Sequence, residues 1–480
     1  MPWLALRMPN PDLSLALLGS ITAPAGCGKT QLIADSLRSP NEAKPALILT
    51  HTNSGKAVLE QRLGRAGVAS KSYRVSTIES WAIKLVRRFP ITCGLAPKIS
   101  DLENPKSDYP AIRVAAAALL ESGHIEDPLQ ATYSRVLVDE YQDCGLDQHR
   151  MIVAASKVLP TVVLGDPLQA IFSFSGPTVD WHGHVRKEFP HLRDLDIPWR
   201  WRNAGAESLG AWLLSIRPAL LAGSSIDLSQ APTEVSWVRL SGDLGSQHMQ
   251  RMEAARTKAA DKEGTVLVIA DSTSPTGQRS IANCTPGAIS VEAVDLRDFT
   301  AFGRSFNPTN PAATAELIKF AGEMMTHLSP GALINRVEIL MRGKSRTPPT
   351  PVEHAALMFR KDPSHAAAAK ALRAFSDGQN VRLYRPDVFR MCVSALSSAG
   401  SDTNSLYEAV IRERERHRHL SRRVPRRAVG STLLLKGLEA DVAVVLYPEK
   451  MNGSNLYVAM TRGAKRLVIC SPTPVLTPVK

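Results

Sequence analysis

Two groups of residues in this chain have the types and spacing of a site that handles phosphate. The first is Ala23-Pro-Ala-Gly-Cys-Gly-Lys-Thr30. Gly26 and Gly28 let backbone N–H groups turn inward around a triphosphate. Lys29 can reach the β- and γ-phosphates, and Thr30 can hold Mg²⁺. Ala25, Cys27 and Gln31 complete the loop and the start of a helix, whose N-terminus favours an anion. Ala23 stands where the usual pattern has Gly. The second group is Asp139-Glu140, at the end of the apolar run Arg135-Val-Leu-Val138. Adjacent carboxylates there suit nucleotide hydrolysis. Asp139 would hold Mg²⁺ through its water, and Glu140 would orient and deprotonate the attacking water.

Both groups need strands to present them. Leu17–Ile21, Ala46–His51, Arg135–Glu140 and Thr161–Asp166 are near-continuous apolar runs with polar carboxyl ends. Such runs suit a parallel sheet covered on both faces, with ligands at its carboxyl edge. Gln31–Leu37 reads as the helix after the phosphate loop. Residues 90–132 break the pattern with Pro-rich turns and one Ala-rich helix, Ala111–Leu120. Strand patterns resume at Val235–Leu240 and Thr265–Ala270. A mostly helical stretch follows, and strands return at Ser431–Leu435, Asp441–Leu446 and Arg466–Cys470. The expected fold is α/β. Residues 1–89 plus 133–197 form a first, ATP-binding domain, and 90–132 a small helical insertion. Residues 198–271 plus 428–480 form a second domain, and 272–427 its helical accessory insertion.

The 480 residues exceed one domain, and 44% hydrophobic content is ordinary for a globular chain. A net charge of +13 points to a polyanionic partner, most simply nucleic acid. The six cysteines are scattered without a Cys-x-x-Cys pair. That argues against a disulfide framework or zinc site and fits a reducing, cytoplasmic setting. No apolar run is long enough to span a bilayer, and the start lacks a secretory pattern.

The ordered motifs resemble the UvrD/Rep/PcrA family of superfamily-one DNA helicases. Ala23–Thr30 resembles the family's first motif. Leu49-Thr-His-Thr-Asn53, Val75-Ser-Thr-Ile-Glu-Ser80 and Asp139-Glu-Tyr-Gln-Asp143 resemble the next three. Gly165-Asp-Pro-Leu-Gln-Ala-Ile-Phe-Ser-Phe-Ser-Gly176, Trp199-Arg200, Lys436-Gly-Leu-Glu439 and Tyr457-Val-Ala-Met-Thr-Arg462 continue the series. The resemblance implies two RecA-like parallel-sheet P-loop NTPase domains with helical insertions in each. It implies ATP and Mg²⁺ in the cleft between them. By the same resemblance Gln169 contacts the γ-phosphate and water, and Arg200 and Arg462 neutralise transition-state charge. Trp199 stacks on adenine, and Glu439 accepts from the ribose. No Gln occurs in residues 1–22, where the family reads the adenine edge. Leu433–Leu435 replace the usual His before the Lys-Gly-Leu-Glu motif.

Single strands are held by basic grooves with stacking platforms. Phe172 and Phe174 resemble the family's base-stacking aromatics, although alternating Phe residues also suit core packing. Thr52, Asn53, Thr77 and Ser80 could bind phosphates. The Arg-rich stretch Ile411–Arg427 fits either a duplex grip or a solvated helix face. The resemblance implies a 3′ to 5′ translocase or helicase on single-stranded or tailed DNA, in a repair setting. The alternative is a DNA-sensing regulatory ATPase that controls a partner nuclease. The compact size also resembles the helicase-like subunit of the Gabija anti-phage system, which works beside an OLD-type nuclease.

Overall fold

In the computed structural model the apolar runs of the first 200 residues become strands that alternate their side chains between two cores. The structure describes residues 13, 15–38, 44–96, 99, 102, 104–172, 176–293, 295–399, 405–418 and 425–479. Strands β1 (Leu18–Thr22), β2 (Ala46–Thr50), β3 (Tyr73–Thr77), β4 (Val136–Val138), β5 (Thr161–Gly165) and β6 (His191–Asp194) form one sheet. Its order is β3-β2-β4-β5-β1-β6, and every pairing is parallel. Successive strand residues point to opposite faces. Leu47, Leu49, Val136, Val138 and Val163 therefore enter one core with Trp81, Met151 and Trp181. Ile48, Leu137, Val162 and Leu164 enter the other with Ile21, Leu32, Ile33 and Leu59. The parallel register aligns all carboxyl ends on one edge, and the loops after β1, β4 and β5 share it.

The Ala-rich segment forms the helix Pro105–Glu121. Its Ile112, Ala116, Leu119 and Leu120 sit in the same core as Trp81 and Met151, so this helix is a layer of the first sheet. Its small alanines permit that close approach.

Compactness divides the chain into two units. The first is residues 1–235, 449–466 and 474–480, and the second is 236–448 and 467–473. The sequence reading joined 198–271 to 428–480. Compactness instead groups 198–235 and Glu449–Arg466 with the first sheet. The physical reason is local. The helix Trp199–Asn203 packs on the loop at Gly26 and Gly28, and β7 (Ile226–Asp227) pairs antiparallel with Val475–Leu476.

Another six-stranded sheet, in the second unit except for residue 235 and residues 463–466, consists of β8 (Val235–Arg239), β9 (Val266–Ile269), β10 (Ile289–Ser290), β11 (Arg427–Gly430), β12 (Ala440–Val445) and β13 (Gly463–Ser471). Its order is β10-β11-β9-β12-β13-β8, and β10 to β11, β11 to β9 and β9 to β12 pair in parallel. The α/β class and the two parallel sheets are thus as the sequence implied. One strand was misplaced. Ser431–Leu435 reads as a strand, but the strand is β11, and Thr432–Leu435 is one helical turn. Ser431 starts that turn by accepting from Leu434 N at 3.3 Å.

Helices between 297 and 418 build a separate core, in which the rings of Phe302 and Phe320 stack at 4.2 Å. A buried charge cluster joins this core to the sheet of the same unit. Arg385 is fully enclosed and grips both oxygens of Glu292 at 2.8 Å. The same guanidinium meets Asp298 at 2.6 Å, and Arg279 meets Asp298 at 3.2 Å. Nearby, Arg382 donates to the carbonyls of Ala282, Asn283 and Thr285, capping the end of the helix Pro275–Cys284.

The Arg-rich stretch is divided. Arg414 pairs with Glu415, and Arg416 with Glu413, on the helix Leu406–Arg418. Residues 419–424, with Arg422 and Arg423, lie outside the described residues. Arg426 pairs with Glu263. Arg427 donates to the carbonyls of Ala255 and Thr257 at the end of the helix Leu244–Ala255. Arg427 is therefore a cap within the fold and is not displayed for a duplex.

Candidate nucleotide site

β1 runs directly into the loop that precedes the helix Lys29–Ser36. Gly26 (φ 69°) and Gly28 (φ 89°) take left-handed backbone conformations that disfavour any side chain. A Cβ at Gly26 would lie 2.6 Å from Trp201 Cζ3, and one at Gly28 would lie 3.0 Å from Trp199 Cδ1. The two glycines thus allow the turn and also admit the helix Trp199–Asn203. Arg200 N donates to Gly26 O at 3.1 Å, fastening that helix to the loop. Cys27 is buried, and burial pushes its thiol up to about 12, so it packs as a small apolar side chain. Gln31 turns along its helix to donate to Asp35 at 2.8 Å.

Lys29 lies between the two carboxylates. Its Nζ is 3.0 Å from Asp139 Oδ1 and donates to Glu140 Oε1. Burial alone would lower the lysine, but Asp139 and Glu140 more than offset it and hold Lys29 above its usual range. Burial pushes the Asp139 carboxyl up, against the pull of Lys29. Glu140 sits at φ 57°, a left-handed conformation that is strained for a residue with a Cβ. Gln142 holds it there, donating through Nε2 to Glu140 Oε2 at 2.6 Å. The Gln142 Oε1 accepts from Asp166 N at 2.9 Å, so one buried amide joins the ends of β4 and β5.

Asp166 is fully enclosed and organises the next loop. Its carboxylate accepts from Leu168 N at 3.1 Å and from Gln169 Nε2 at 2.9 Å. Arg217 binds it in a two-pronged pair at 2.8 and 2.6 Å. Burial opposes the charge on Arg217, yet Asp166 raises the guanidinium above its usual range. The guanidinium also lies 4.8 Å from the Tyr457 ring centre, on the helix Gly453–Met460. Just beyond that helix, Thr461 O accepts from Arg200 Nη1 at 2.6 Å. Arg462 donates to Val458 O at 2.8 Å and to Thr461 Oγ1 at 3.1 Å.

The structure therefore gathers most of the expected residues in the first unit. Lys29, Asp139 and Glu140 are in direct contact. Gln169 joins them through Asp166 and Gln142. Arg200 and Trp199 pack on the loop. Thr30 Oγ1 accepts from Arg62 at 3.3 Å. Glu439 belongs to the second unit, half-buried before β12. Left-handed glycines, a lysine held by carboxylates and a hydroxyl at the head of the same helix fit a nucleotide triphosphate with Mg²⁺.

The nucleic-acid candidates have local partners. Thr52 Oγ1 accepts from Gly55 N, and Thr77 Oγ1 from Ser80 N, each at 3.0 Å, so both threonines cap helices. Thr77 also donates to Ser80 Oγ at 2.8 Å. Asn53 is exposed at the head of its helix. Phe172 meets His51 at 5.5 Å between ring centres, at the carboxyl end of β2. Phe174 lies outside the described residues. Sequence reasoning missed Gln142, although it lies inside a motif, and Arg217, which lies in none.

A family model described as the UvrD/REP helicase N-terminal domain matches residues 100–190. No curated protein matches the chain. Among solved structures, the Pif1 helicase from Candida albicans is similar at 10% identity, covering 97% of this chain and 94% of that one, with a TM-score of 0.39. Arterivirus nonstructural protein 10 (helicase), in a complex structure with DNA, is similar at 12% identity with a TM-score of 0.26. That match covers 54% of this chain, which spans about half the length of the arterivirus protein (49%). No helix among the described residues is long and apolar enough to cross a membrane. The segment matched by the family model contains Asp139, Glu140, Gln142 and Gln169.

Proposed function

We propose that this chain is an ATP-driven translocase or helicase on single-stranded DNA, moving 3′ to 5′. The observation that carries the reading is the connected cluster of Lys29, Asp139, Glu140 and Gln142 at the carboxyl ends of β1 and β4. Lys29 and the amides around Gly26 and Gly28 bind the triphosphate, and Thr30 and Asp139 hold Mg²⁺. Bound there, the metal would supply charge neutralisation on the phosphate oxygens. Lys29 must exchange a carboxylate for phosphate when nucleotide binds, and that exchange frees Glu140 Oε1. Glu140 then takes the proton of the attacking water, with Gln142 keeping it aimed. Gln169 orients the water, and Arg200 and Arg462 stabilise the developing charge. Thr52, Asn53, Thr77, Ser80 and Phe172 contact the DNA strand in this reading, and Phe174, outside the described residues, joins them on its sequence alone.

The deciding experiment is ATP hydrolysis with and without single-stranded DNA, beside strand separation of 3′-tailed and 5′-tailed duplexes. Stimulated hydrolysis with separation of the 3′-tailed substrate alone is expected. Hydrolysis indifferent to every nucleic acid would sink the proposal.

Purine choice should be loose. Trp199 stacks on the base, and stacking separates purines poorly because each has a π-face. GTP and dATP are expected to support measurable hydrolysis. Trp199→Ala should raise the KM for ATP about tenfold, the loss of roughly 1–1.5 kcal/mol of stacking. Strict ATP dependence with an unchanged KM would contradict this role.

A further inference from the structure

We propose that Arg217, outside every motif, is a positioning residue that sets Gln169 and the Tyr457 helix as one body. The inference rests on the hydrolytic reading above. Its geometry is a continuous path of polar contacts. From Lys29 it runs through Glu140 and Gln142 to the amide of Asp166. The Asp166 carboxylate then holds Gln169 on one side and Arg217 on the other. Beyond Arg217 lies the Tyr457 ring, and one turn further the Thr461 carbonyl that receives Arg200.

The chemistry of the pair explains why Arg is needed. Asp166 accepts from Leu168 N and Gln169 Nε2, and its two oxygens also take the two arms of Arg217. A planar fork satisfies both oxygens at once and fixes the carboxylate plane. Gln169 hangs from that carboxylate, so rotation of the plane would swing its amide. The carbon of the same guanidinium lies over the Tyr457 ring, 4.8 Å from its centre. A lysine keeps the charge but has neither the fork nor the face. Arg217 therefore does two tasks with one group, aiming Gln169 and seating the helix Gly453–Met460, which precedes Arg462.

The test uses the full chain with Arg217→Lys and Arg217→Gln. The Lys variant keeps Asp166 paired with a cation, so it should fold even if the Gln variant does not. Expected for Arg217→Lys is a kcat for DNA-stimulated hydrolysis about tenfold lower, a KM for ATP within threefold of the parent, and a melting temperature close to it. Arg217→Gln, if folded, should fall further. A second readout needs no turnover. Hydrogen exchange of the amides from Asp166 to Phe172 should speed up in Arg217→Lys, while β2 and β4 keep their protection. Parental kcat in Arg217→Lys, or unchanged exchange in that loop, overturns the positioning role. If the parent itself hydrolyses nothing, the functional reading fails, and the exchange measurement alone still decides whether Arg217 sets the loop.

Discussion

Glu140→Gln should cut DNA-stimulated ATP turnover by about 10²–10⁴-fold while leaving nucleotide binding intact. The magnitude is that of losing a positioned general base. The direction for binding follows from the contacts of Lys29. Lys29 is shared between Asp139 and Glu140, and both contacts compete with phosphate for the amine. Removing one of the two charges weakens that competition, so affinity should hold or rise by a few-fold. The neutral amide keeps the shape that Gln142 packs against. Steady-state turnover beside equilibrium binding of a fluorescent ATP analogue separates the two effects. Turnover within tenfold of the parent would remove Glu140 from the base role.

The second large effect is on stability, in the other unit. Arg385→Met should destabilise the joint between the helical core and its sheet by about 3–5 kcal/mol, because it leaves Glu292 buried without its paired cation and leaves Asp298 with Arg279 alone. Arg385 is fully enclosed, and it bonds both oxygens of Glu292 and one of Asp298. Arg279 remains, but it is 3.9 Å from Glu292 and cannot replace the paired grip. Hydrogen exchange should therefore accelerate by about 10²–10⁴-fold in the helices Arg297–Ser305 and Pro386–Ser398, since each tenfold is about 1.4 kcal/mol. The first sheet should exchange as in the parent. Unchanged protection in both helices would show that apolar packing alone holds the joint.

What was legible in the sequence was whatever the chain writes locally. β2, β4 and β5 are short apolar runs with polar ends, and they lie where those runs place them. The phosphate loop needs only neighbouring residues, so its glycines, Lys29 and the following helix were readable. Asp139 and Glu140 were readable because the strand before them was. Contacts made by folding were not. Arg217 reaches Asp166 from 51 positions away, and Arg385 reaches Glu292 from 93. Neither arginine differs in type from those at the surface. The misread strand at Ser431–Leu435 shows another limit. Three leucines fit a buried strand or one helical turn equally well, and the Ser431 cap decided between them. Arg427 looked like part of a basic grip because its neighbours are basic. Its partners are carbonyls of a helix that ends some 170 residues earlier.

The left-handed backbone at Glu140 has a consequence for how this site can change. A side chain there strains the main chain by about 1–2 kcal/mol, and a glycine would not. The most stable residue at position 140 is thus one that cannot accept a proton. On the proposed reading, heat resistance and turnover pull this position in opposite directions, as expected where a strained active-site residue trades stability for activity. Gln142 moderates that conflict, since its bond to the Glu140 carboxylate rewards an acid in the strained conformation. A lineage that lost Gln142 would feel the strain in full, and position 140 would then be the first part of the machinery to drift.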